Sequence, residues 1–75
     1  MIDSLLDACQ FALEEQGEPQ SGYWLALQIM ELKLWRTSEA GVRDAINKDI
    51  AKHGELSRFV PLVDDEFAMR SWTKG

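Results

Sequence analysis

Apolar residues along this chain recur first every three or four positions and then every second position, and the change of period falls at Gly54. Ile2, Leu5, Leu6, Cys9, Ala12 and Leu13 mark one face of a helix from about Ser4 to Gln16. Asp3 or Ser4 can cap its start, and Asp7 lies in the first turn, where the helix dipole favours an acid. Gly17 tolerates the left-handed conformation that ends a helix, and Pro19 blocks its resumption. Phe11 falls off the main apolar face and is expected to pack against a neighbouring element.

Ser21 is a good cap for a second helix of roughly Gly22 to Leu32. Its sequence, "GYWLALQIMEL", is apolar around most of the circumference, so this helix is either central to the core or has a second face that a partner covers. Tyr23 and Trp24 are adjacent, and adjacent helical residues cannot both face the same way; one is expected in the core and the other exposed. Leu34-Trp35 closes this unit. Thr37 or Ser38 then caps a third helix, about Glu39 to Lys52, with Val42, Ile46, Asp49 and Ile50 on one side and Ala45 beside them. Arg43, Asn47 and Lys48 lie off that side, and Lys48 and Lys52 are surface neighbours four apart. His53-Gly54 supplies the stop.

Beyond Gly54 the segments "SRFVPLV" and "EFAMRSW" read as strands, rich in branched and aromatic residues. Phe59, Pro61 and Val63 are expected on one face of the first, Phe67 and Met69 on one face of the second, and Asp64-Asp65 in the hairpin turn. Pro61 cannot donate to a ladder and belongs at an edge or a bulge. The order helix, helix, helix, hairpin, with a short link before the most basic helix, predicts a mainly α chain with a small β-hairpin: a winged helix-turn-helix. Residues 1–72 form the expected domain and 73–75 a tail or linker.

Charge sharpens this picture. The chain of 75 residues carries a formal net charge of −5, distributed unevenly. Residues 1–32 hold six acids and no Lys or Arg, residues 33–58 carry a net +2, and residues 59–75 carry −1. A helix-turn-helix places side chains near the start of its second helix against base edges, while nearby cations hold phosphates. That logic nominates Ser38, Arg43 and Asn47 for bases, Asn47 having the donor and acceptor that read adenine, and Lys33, Arg36, Lys48, Lys52 and Arg58 for phosphates of double-stranded DNA. Glu39, Asp44 and Asp49 interrupt these cations, and an acidic domain repels DNA at long range. A DNA-binding module that reads duplex DNA with the third helix is the first expectation. The alternative is a protein-interaction module that docks on a larger complex, such as RNA polymerase or a restriction system, through Tyr23, Trp24 and the acidic first helix.

Chemistry finds little to stand on. The one His and the one Cys are far apart and lack the paired ligand spacing of a zinc site. His53 reads as a helix C-terminal residue and Cys9 as a core thiol, whose solitary state excludes an intramolecular disulfide and fits a reducing, cytoplasmic setting. Asp64, Asp65 and Glu66 read as a polar turn rather than a cation site. With no phosphate loop and no nucleophile beside a base, the chain reads as a non-enzyme with no cofactor, no metal and no small-molecule substrate. No apolar run approaches the roughly 20 residues needed to span a bilayer, so no membrane association is expected.

Four segments, "LEEQGEPQS", "LWRT", "INKDIAKHGELSRFV" and "FAMRSW", together resemble the HARE-HTH domain, over about Leu5 to Trp72. That resemblance implies a winged-helix module of the kind found in bacterial restriction endonucleases, in chromatin proteins and at the N-terminus of the RNA polymerase delta subunit. It implies a DNA- or transcription-linked role and no catalytic residues. It also implies that Trp35 and Trp72 close the core. Two departures are plain: Thr37-Ser38-Glu39-Ala40 stands where relatives often carry a Gly-Lys-Thr-Pro-like run, and the wing tip is Asp64-Asp65-Glu66 where relatives are often Gly-rich or basic.

Overall fold

The computed structural model describes residues 2–73. Three helices, α1 (Leu5–Gln16), α2 (Gly22–Glu31) and α3 (Glu39–His53), are followed by a β-wing of β2 (Phe59–Pro61) and β3 (Glu66–Met69). This is the expected helix-plus-wing architecture. It gains one element that the sequence reading lacks: β1 (Gln20–Ser21) pairs antiparallel with β3, giving a three-stranded sheet in the order β1-β3-β2. Two polar residues carry no strand pattern; pairing with the middle strand alone makes them one.

Each helix starts on a serine. Ser4, Ser21 and Ser38 accept from the backbone N–H groups of Asp7, Trp24 and Gly41 at 3.1, 3.1 and 3.0 Å, each satisfying a donor the helix leaves open. The helix ends differ from one another. Gly17 (φ 81°) closes α1, and Gly54 (φ 56°, ψ −124°) follows α3 in a region open only to glycine. At the end of α2 the left-handed position is filled by Lys33 (φ 57°). Its N–H donates to the Met30 carbonyl at 3.1 Å, and the Leu34 N–H donates to that of Ile29 at 2.9 Å. Both bonds of the Schellman motif are thus made, without the usual glycine.

The core draws on the three helices and the wing: Ala8, Cys9, Ala12 and Leu13 from α1; Leu25, Ala26 and Ile29 from α2; Val42 and Ile46 from α3; Phe59, Phe67 and Met69 from the wing. Leu34 and Ile50 pack against it. Two expectations need correction. Pro61 and Val63 do not share the buried side of Phe59: both are exposed, because the chain leaves the sheet after Pro61 and turns through Val63–Asp65 with Asp64 and Asp65 left-handed. Ala68 is buried alongside Phe67 and Met69, because the central strand is covered on both faces. Trp35 and Trp72, expected to close the core, each retain 38% of their surface exposed. Pro61 does lie on an edge strand, since β2 pairs only with β3. Of the expected tail, Thr73 belongs to a closing 3-10 turn and the rest lies outside the described residues. No helix among the described residues is long and apolar enough to cross a membrane.

Candidate interaction surface

The cations nominated for DNA divide by what holds them. Arg43 leaves α3 to lie across the start of α2, so close that a Cβ on Gly22 would stand 2.7 Å from its Cγ. Its guanidinium bonds Glu39 at 2.7 Å and reaches Asp65 of the wing tip at 3.4 Å. Arg43 therefore ties helix, helix and wing together, and two carboxylates share its charge. Arg58 donates from one nitrogen to Asp7 and to Gln10 of α1, both at 2.9 Å, and its guanidinium carbon lies 5.9 Å from the Phe59 ring centroid. That ion pair, helped by the Asp3 backbone N–H, holds the Asp7 carboxyl below the usual carboxylate range. Lys48 pairs with Asp44 at 3.3 Å, both well exposed. The Ser38 hydroxyl oxygen is engaged in its cap.

Lys33, Arg36, Asn47 and Lys52 remain exposed. Among the described residues no carboxylate lies within salt-bridge distance of Lys33, Arg36 or Lys52. Two separate places emerge: Asn47 and Lys52 on α3, and Lys33 with Arg36 on the link after α2.

The structure also separates the aromatic pair. Trp24 is half-buried and packs against the core, whereas Tyr23 is 58% exposed. Tyr23 is not isolated. Leu27 and Met30, four and seven residues on, are 46% and 42% exposed, and at 100° per residue the three fall within an arc of about 60°. This is the second apolar face that the composition of α2 announced. Among the described residues, α1 exposes one large apolar side chain, Phe11, and α3 none. Leu27 and Met30 escaped the sequence reading because excess apolarity shows that a helix has a spare face but not which one.

At its C-terminal end this stripe runs into a concavity of about 570 Å³ lined by Met30, Lys33, Trp35, Arg36 and Thr37. Its lining brings a tryptophan and a methionine together with two basic residues, Lys33 standing in the Schellman turn that ends α2.

Ser57, His53, Arg70 and Cys9 are each held within the fold. Ser57 is buried, donates to Asp49 at 2.5 Å and accepts from the Phe59 N–H at 3.1 Å. His53 approaches the same carboxylate at 3.8 Å. The carboxylate thus sits between hydroxyl and imidazole, so the imidazole is not placed to take the hydroxyl proton. Arg70 donates to the Ser57, Gly54 and Phe59 carbonyls at 2.7, 3.2 and 3.2 Å, locking the turn between α3 and the wing. Burial pushes the Cys9 thiol up to about 12. Among the described residues no three His, Cys, Asp or Glu side chains gather so as to hold a metal ion.

No protein-family model, curated protein or solved structure matches the chain.

Proposed function

We propose that this domain is a non-enzymatic protein-interaction module that docks on a larger assembly through the outer face of α2. The observation that carries this reading is the exposed stripe Tyr23, Leu27 and Met30 on one side of a helix whose other side is core. With about half of each side chain still in water, burial by a partner could recover about 0.7–1.5 kcal/mol for each. Exposed apolar area that is contiguous rather than scattered marks an interaction surface. The resemblance to HARE-HTH domains is compatible with such a role, since those modules are found within restriction endonucleases, chromatin proteins and an RNA polymerase subunit.

Duplex binding through α3 is the second reading, favoured by Asn47 and Lys52, which are exposed on that helix. Against it stand the ion pairs that occupy Arg43, Lys48 and Arg58 and the net charge of −5. DNA affinity grows with the number of phosphates neutralised, and few free cations are left for that task.

One experiment separates the two. A photo-crosslinking amino acid is placed at position 27 on α2 or at position 52 on α3 in cells that express the chain. Discrete protein adducts from position 27 and none from position 52 are expected. Adducts confined to position 52, or nucleic acid captured there, would sink the α2 reading.

A further inference from the structure

We infer that the partner segment is anionic as well as apolar: a short acidic peptide stretch that inserts a large apolar side chain against Trp35 and Met30 while its carboxylates engage Lys33 and Arg36. This rests on the α2 docking reading and adds the chemistry of what docks. Three observations converge on it.

The first is shape and continuity. The concavity of about 570 Å³ has room for a bulky side chain, and Met30 belongs both to it and to the α2 stripe. The stripe spans about 10 Å at 1.5 Å per residue, the reach of two helical turns or a few extended residues.

The second is charge. The protein carries 13 acids and 8 Lys and Arg, yet two of those cations, three residues apart, flank an exposed indole with no carboxylate partner among the described residues. Elsewhere Arg43, Lys48 and Arg58 are each matched to an acid. In an acidic protein a cation pair left over beside an apolar pocket is complementary to carboxylates delivered from outside.

The third is the backbone. Lys33 stands in a left-handed position (φ 57°) where glycine is favoured. An L-residue there is strained, and such strain concentrates at recognition sites. The strained residue is one of those that line the concavity.

A nucleic-acid strand would also meet a tryptophan and two cations. It is disfavoured because a phosphate backbone brings a dense row of charges past Glu31 and the acidic remainder of the protein, whereas a peptide brings two or three carboxylates to the two cations alone.

The test uses an acetylated, amidated peptide that repeats Glu-Glu-Leu-Phe three times, the same peptide with Gln for every Glu, and a single-stranded oligothymidine. Each is titrated into the ¹⁵N-labelled chain. The acidic peptide is expected to bind with a dissociation constant below about 1 mM and to shift the amides of residues 30–37. Lys33→Gln and Arg36→Gln, both exposed and therefore tolerant of change, are each expected to weaken it by about fivefold, the worth of a favourable exposed ion pair. Equal binding of the Gln peptide overturns the anionic assignment while leaving α2 docking intact. Stronger shifts from the oligothymidine, no binding by either peptide, or self-association of the chain through residues 30–37 overturns it too. Loss of crosslinks at position 27 is the separate result that removes the docking reading itself.

Discussion

Replacing Lys33 by glycine should leave the domain more stable than replacing it by alanine, although both remove the same charge. Lys33 has φ 57° at the residue after the α2 cap, with both Schellman hydrogen bonds formed around it. A Cβ in the left-handed region costs about 1–2 kcal/mol, which glycine does not incur. Glycine costs about 0.4–1 kcal/mol in return, because the unfolded chain gains freedom. The ammonium group at a helix C-terminus contributes about 0.3–1 kcal/mol through the dipole, and Lys33→Ala removes that contribution while keeping the Cβ. The informative comparison is therefore Lys33→Gly against Lys33→Ala, for which the conformational difference is about 0.5–1 kcal/mol in favour of glycine. In a domain of this size that is a difference in Tm of about 2–8 °C, readable by circular dichroism or calorimetry. If the Gly variant melts at or below the Ala variant, Lys33 is not strained and the backbone support for the recognition proposal is lost. If it melts higher, the same substitution should weaken the acidic peptide, separating stability from binding at one position.

Ser57→Ala should destabilise by about 1–3 kcal/mol in urea unfolding, because it strands the Asp49 carboxylate and the Phe59 N–H in a part-buried turn. The Asp7 carboxyl is held below its unfolded value chiefly by Arg58; its contribution is present above the unfolded carboxylate range and is lost as pH falls through the depressed folded value. Asp7→Asn should thus lower Tm at neutral pH and flatten the acid limb of the Tm–pH curve, and an unchanged limb would show that Asp7 does not contribute to it. With its thiol buried and pushed up to about 12, Cys9 should resist a disulfide reagent in the native state and react only as fast as the domain opens. Rapid labelling without denaturant would contradict that burial.

The sequence by itself determined the three helices and the wing turn. Ser4, Ser21 and Ser38 sit at their starts, Gly17 and Gly54 after two of their ends, and apolar spacing changes from helical to alternating after Gly54. These signals are local: a cap, a left-handed stop and a periodicity act within one turn of the residue that carries them. What depends on distant partners was settled only by the tertiary structure. Gln20-Ser21 becomes a strand because β3 lies beside it. Arg43 and Arg58, nominated for DNA by their charge, are engaged by Asp65 and Asp7, each far away along the chain. Tyr23 and Trp24 are told apart, and Leu27 and Met30 join Tyr23, only once the core has chosen a side of α2. Periodicity says which residues share a helix face; which face meets water is fixed by how three helices and a sheet close on one another.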